Sequence, residues 1–149
     1  MAVIFLDTSA VVKRYAAEPG SQRVRDLTAG ADSHISHVTV VEYVAAVCRQ
    51  GRSGRLTDDE VSAAIRVFRA DAEAGYDLLG VTTGVISIAA VPAERHAVPG
   101  YDAVRIASAL SVQEVLASEP VKLVTADSQM CDVALAEGMS VIDPTDAAA

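Results

Sequence analysis

The feature that most constrains this chain is its first apolar segment. Val3-Ile4-Phe5-Leu6 is continuous rather than alternating, rich in β-branched and aromatic residues, and stops at Asp7-Thr8-Ser9. A strand that is apolar at every position must be covered on both faces, as in a parallel sheet sandwiched by helices. Asp7, Thr8 and Ser9 are good helix-capping residues, so the chain turns from strand to helix at once.

The pattern continues in the same sense. A helix carrying Val11, Val12, Tyr15 and Ala16 is stopped by Glu18-Pro19-Gly20, and a second runs from about Ser21 to Thr28. His34-Ile35-Ser36 reads as a short strand. The helix from about Val38 to Gln50 has Val41, Val44, Ala45 and Cys48 at 3.6-residue spacing as its expected apolar face. Gly51 and Gly54 break it. Thr57 and Glu60 form a capping box, and Val61, Ala64, Ile65 and Phe68 mark the buried side of the helix that follows, up to Gly75. Leu78 to Val81 predicts a third strand, and Thr82 or Thr83 caps a helix that Pro92 should kink or terminate. Tyr101 to Ala117 is the clearest helix, with Ala103, Ile106, Ala107 and Leu110 on one face. Val121 to Thr125 is a buried strand, Asp127 caps a helix to Glu137, Gly138 closes it, and Ser140-Val141-Ile142 is the last strand. Strands alternating with helices imply right-handed crossovers and a three-layer α/β/α fold with a central parallel sheet. Neither a repeat nor a linker interrupts residues 1–149, so one domain is expected; only Ala147 to Ala149 read as a fraying end.

Composition narrows the function. At 149 residues with 51% hydrophobic and 21% charged side chains, the chain is globular in character. Its apolar start, Ala2 to Leu6, lacks preceding basic residues and is too short for a signal peptide or a membrane span, which predicts a cytoplasmic protein with no membrane association. A net charge of −8 argues against a broad basic surface that coats nucleic acid, so any such contact must be local. Lys13 and Lys122 are the only lysines. The arginine excess suits bidentate phosphate recognition, and a coding bias explains it equally well. Cys48 and Cys131 lack CxxC spacing and read as small apolar packing residues. His34, His37 and His96 have no metal-ligand spacing and are expected on the surface or in loops.

Ligands of open parallel sheets bind beyond the carboxyl ends of the strands, where strand order reverses. Asp7 and Asp127 lie at such ends, although each is also a good N-cap. Asp102, in the first turn of its helix, suits the helix dipole. Glu42 is harder to explain away, because Val38-Thr39-Val40-Val41-Glu42-Tyr43-Val44 surrounds it with apolar neighbours, where a carboxylate requires a partner or a metal. Grouped carboxylates raise one another's pKa and are relieved by a divalent cation; Mg²⁺ or Mn²⁺ suits oxygen ligands of this kind.

Four segments, in this order and spacing, make a resemblance specific: Ile4-Phe5-Leu6-Asp7-Thr8-Ser9-Ala10, Ser36-His37-Val38-Thr39-Val40-Val41-Glu42, Gly100-Tyr101-Asp102-Ala103-Val104-Arg105-Ile106-Ala107-Ser108-Ala109-Leu110 and Leu123-Val124-Thr125-Ala126-Asp127. The chain resembles PIN-domain proteins and, within that family, the VapC ribonuclease toxins of bacterial toxin–antitoxin pairs. The likeness reaches Gly138 to Pro144, spanning 1–149 as a single PIN-like domain, and departs from the usual pattern around Ser87 to Ala93. It implies that Asp7, Glu42, Asp102 and Asp127 form the catalytic, metal-holding set, supported by Thr8, Ser9 and Thr125. It implies Mg²⁺-dependent hydrolysis of RNA by a metal-activated water, with Mn²⁺ as a substitute, a VapB-type antitoxin that covers the helical surface and blocks the pocket, and a homodimer. Asp132 is a candidate outer ligand or a solvated acid. Arg105 either touches a phosphate or pairs with an acid. The basic stretch Arg49 to Arg55 either tracks a phosphate backbone or is a solvated loop. A PIN-like interaction module without activity, or a metal-dependent nuclease acting on another nucleic acid, remains the alternative. Ser9 stands where a haloacid-dehalogenase phosphatase needs a second Asp, and the lack of a Gly-rich loop after Leu6 disfavours dinucleotide binding.

Overall fold

The computed structural model describes residues 1–116 and 118–146, so the expectations for Ala117 and for Ala147 to Ala149 lie outside the described residues. The chain begins with β1 (Ala2–Leu6), α1 (Thr8–Tyr15), α2 (Ser21–Ala29), β2 (Ala31–Ser36), α3 (His37–Arg52) and α4 (Asp58–Ala74). It continues with β3 (Asp77–Leu79), α5 (Thr83–His96), α6 (Gly100–Val115), β4 (Val121–Val124), α7 (Ser128–Ala136) and β5 (Ser140–Ile142). The strands form one sheet in the order β3-β2-β1-β4-β5, every neighbouring pair parallel.

β1 is the centre, and its lack of alternation is explained by what covers it. Val3 and Phe5 pack into a core built with α5, α6 and α7, whereas Ile4 and Leu6 pack into a second core built with α1 to α4. Each of these apolar side chains, taken out of water, contributes about 1.5–3 kcal/mol. The result is the expected three layers, helices on both faces of a parallel sheet.

Local signals that involve only neighbouring residues hold. Thr57 accepts from the Glu60 N–H while Glu60 accepts from the Thr57 N–H, a complete capping box. Gly20 precedes α2 at φ +88°, and a Cβ there would come within 2.8 Å of the Pro144 carbonyl oxygen, so backbone conformation and close approach both require glycine.

Three expectations need correction. The buried face of α3 is Thr39, Tyr43 and Val47, not the Val41 stripe; Val41 is 69% exposed. In a helix apolar nearly all round, periodicity leaves the phase open, and the largest residue, Tyr43, settles it by joining an aromatic cluster. Its ring lies 4.1 Å from that of Phe68 on α4 and 5.5 Å from that of Tyr15 on α1. Pro92 does not terminate α5, which continues to His96 with Pro92 buried in the core and Thr82 as its N-cap; apolar burial of the ring offsets the lost backbone hydrogen bond. The third strand is Asp77–Leu79 rather than Leu78 to Val81: Leu79 pairs with Ser36, the last residue of β2, so Gly80 and Val81 have no strand beside them.

Candidate active site

β1 and β4 are adjacent, yet the chain crosses from β1 to β2 and returns to β4 only later, so the order of the sheet reverses between them. The crevice at their carboxyl ends is where such a fold places a ligand. Asp7 sits there, 3% exposed, its N–H donating to the Val124 carbonyl at 3.1 Å. Both carboxylate oxygens are engaged: Oδ1 accepts from the Ser9 N–H, capping α1, and Oδ2 accepts from the Thr125 hydroxyl. A buried carboxylate so bonded is held in one orientation.

The neighbouring hydroxyls extend this network. Thr125 Oγ1 accepts from the Asp127 N–H at 3.1 Å, and Asp127 in turn caps α7 by accepting from Met130 N–H at 3.1 Å. Ser9 Oγ accepts from Ala126 N–H at 3.0 Å, pinning the β4–α7 turn to α1. Thr8 donates to Glu42 Oε1 at 3.0 Å. Each of the three hydroxyl residues expected to support the acids therefore contacts an acid or the turn that carries one.

Glu42 has the partner its apolar surroundings required. Arg105 on α6 donates through Nη2 to Glu42 Oε2 and through Nη1 to Asp102 Oδ1, the latter at 2.6 Å. The guanidinium thus joins α3 to the first turn of α6. Between the two readings of Arg105 left open by sequence, the structure places it in ion pairs with acids. Burial pushes the Asp102 carboxyl above its ordinary pKa; Arg105 opposes this, and the charges of Asp127, Asp7 and Glu42 add to it. That influence is the electrostatic sign that all four acids share one region. Burial alone would lower the pKa of Arg105, but the bond to Glu42 and the charges of Glu42, Asp7 and Asp102 raise it.

The donors are carboxylate and hydroxyl oxygens, the chemistry that suits a hard divalent cation, and the charges of Asp127, Asp7 and Glu42, which add to the effect of burial on Asp102, are ones that such an ion would relieve. Among the described residues, no three His, Cys, Asp or Glu side chains stand close enough together to hold an ion as they are.

Other sequence candidates lie elsewhere. Asp132 is exposed, as solvation predicts. Arg49 and Arg52 belong to α3 itself rather than to a loop, and both are exposed, like Arg55 beyond the helix. Cys48 and Cys131 are free thiols. Only His37 is exposed; His34 is half-buried within β2 and 3.8 Å from Asp77, and His96, ending α5, lies 2.8 Å from Glu137. Sequence reasoning missed Thr39, which is fully buried and accepts a long 3.5 Å hydrogen bond from Thr8; with the phase of α3 open, nothing in the sequence marked it.

Residues 4–136 match the PIN domain family. The chain belongs to the PIN-domain family. Within it, the chain is 34% identical over 113 residues to Ribonuclease VapC45 of Mycobacterium tuberculosis (strain CDC 1551 / Oshkosh), an alignment that takes in 75% of this chain and 78% of that protein. Its PIN fold superposes on the structure of FitAB bound to an IR36 DNA fragment with a TM-score of 0.72 at 18% identity, covering 97% of this chain and 96% of that one. A toxin–antitoxin complex from Klebsiella pneumoniae gives a TM-score of 0.66 at 14% identity, covering 96% and 98%. No helix among the described residues of this PIN domain is long and apolar enough to cross a membrane.

Proposed function

We propose that this PIN-domain chain is a metal-dependent endoribonuclease of the VapC type, the toxin of a toxin–antitoxin pair, with Asp7, Glu42, Asp102 and Asp127 as its catalytic acids. The observation that carries the reading is the burial of Asp7 at the sheet's reversal point, bonded to a Thr125 hydroxyl that also accepts from the Asp127 N–H, beside Thr8, whose hydroxyl donates to Glu42. Such a costly arrangement of acids is unneeded for folding and suits cation binding. The 34% identity to a ribonuclease over most of both chains supports RNA as the substrate.

Asp7, Asp102 and Asp127, with Glu42, would hold Mg²⁺ or Mn²⁺. When bound, such an ion lowers the pKa of a coordinated water and neutralises charge that develops on the phosphate. The chain's own part is positional. Ser9 N–H and Thr125 Oγ1 fix the Asp7 carboxylate and so tie the ends of β1 and β4 together, Thr8 fixes one oxygen of Glu42, and the Asp127 N–H donates to the same Thr125 hydroxyl. In this reading hydrolysis proceeds by direct attack of water, with no covalent enzyme intermediate.

A VapB-type antitoxin is the expected partner, supported by the toxin–antitoxin complex among the structural relatives, and the family resemblance adds a second copy of the chain. The deciding experiment incubates purified protein and its Asp7→Asn variant with RNA in Mg²⁺, Mn²⁺ or EDTA. Wild type should cleave with either metal, and the variant should be slower by about 10²–10⁴-fold. Equal cleavage by the variant, or activity undiminished by EDTA, rejects the mechanism. Absence of cleavage by wild type on every RNA offered favours an interaction module that retains the fold alone.

A further inference from the structure

The guanidinium of Arg105 lies among the acids rather than beside them. It carries a single positive charge yet bonds two separate carboxylates, Glu42 through Nη2 and Asp102 through Nη1, and its side chain is only 13% exposed. Its Nε is buried and, among the described residues, has no hydrogen-bond partner. Glu42 and Asp102 are thereby turned toward the arginine, and no three acidic side chains among the described residues close on a common point. One cation therefore already holds two of the four acids.

We propose that Arg105 is a built-in competitor for the divalent ion: it latches Glu42 and Asp102 in the metal-free protein and must release at least one of them before an ion binds. This rests on the metal-site reading above. It makes ion binding a competition between two cations for the same carboxylates and keeps like charges neutralised when divalent ion is scarce.

The test titrates Mn²⁺ calorimetrically into EDTA-stripped, full-length wild type, Arg105→Leu, Arg105→Lys and Asp7→Asn. Arg105→Leu should bind Mn²⁺ about tenfold or more tightly than wild type, the scale of one lost charge-assisted hydrogen bond. Arg105→Lys, which keeps the charge and loses the two-pronged geometry, should fall between them. Equal or weaker binding by Arg105→Leu, with Asp7→Asn still impaired, overturns the latch and leaves the metal site standing. If no protein binds Mn²⁺, the metal-site reading and the latch fail together. A second measurement uses wild type alone, in case the leucine variant does not fold. The assigned Arg105 Nε–H resonance should shift on saturation with Mg²⁺, and a resonance that stays in place overturns the proposal.

Discussion

Glu42 and Tyr43 are consecutive on α3, and the two regions they serve are built on opposite rules. Tyr43 enters the cluster with Tyr15, Phe68 and Tyr76, where rings pack edge to face or tilted and polar atoms are paired: Tyr15 Oη donates to Asp71 at 2.8 Å and shares a 3.1 Å contact with Tyr76 Oη. Burial, with a smaller effect of Tyr76, pushes the Tyr43 hydroxyl up to about 12, so it stays neutral throughout the physiological range. Everything in that region favours the folded state. On the other side of the same helix turn, Glu42 enters a group of carboxylates that one arginine neutralises only in part, and burial and like charge disfavour the ionised Asp102. The aromatic side anchors α1, α3 and α4, so that the acidic side can hold groups that repel. Stability is concentrated away from the chemistry.

If that division is real, substitutions on the two sides should separate stability from metal response. The largest loss is expected for Phe68→Ala, which empties a fully buried position at the centre of the aromatic cluster and should cost about 3–5 kcal/mol by denaturant unfolding. That is a large part of the ~5–15 kcal/mol available to a domain. Folded molecules of this variant should nevertheless keep the wild-type rise in melting temperature with Mg²⁺, and loss of that rise would break the comparison.

Thr125→Val is next. It keeps the shape but removes the hydroxyl bonded to Asp7 and to the Asp127 N–H, and should cost about 2 kcal/mol. Unlike Phe68→Ala, it should also weaken the response to metal, because Asp7 loses its orientation.

Asp127 allows cap and ligand to be told apart. Asp127→Ala should destabilise by about 1 kcal/mol through loss of the α7 cap, whereas Asp127→Ser should restore that stability without restoring RNA cleavage. Cleavage by the serine variant at the wild-type rate would reduce Asp127 to a cap.

The smallest effect, and one of opposite sign, belongs to Asp102→Asn. A carboxyl whose folded pKa lies above its unfolded value favours the fold at low pH, and that contribution is lost as pH rises through the folded pKa. Removing the charge should therefore raise the melting temperature of metal-free protein slightly at neutral pH, have no such effect in acid, and abolish the gain expected of wild type with Mg²⁺. A lower melting temperature at neutral pH would mean that the Arg105 pair outweighs burial and repulsion.

Much of the site was legible from the chain, for a reason particular to this fold. Asp7 and Asp127 each follow an apolar strand and begin a helix, and a parallel sheet brings such positions to one edge. Glu42 was conspicuous because apolar neighbours leave a carboxylate unexplained. Arg105 was ambiguous: three residues after Asp102 it is placed to pair with it, but nothing local states that Glu42, 63 residues earlier, completes the bridge.

What the sequence by itself determined is whatever depends on near neighbours: the doubly buried β1, the capping box at Thr57, the succession of strands and helices, and the acids that end them. Tertiary structure alone decided the rest. The phase of α3, the passage of α5 through Pro92 and the seating of Arg105 between two carboxylates depend on which surfaces face each other once the layers close. Hydrophobic burial has no direction along the chain, so a helix with apolar residues on more than one face acquires its inward face only from the shape of what it meets.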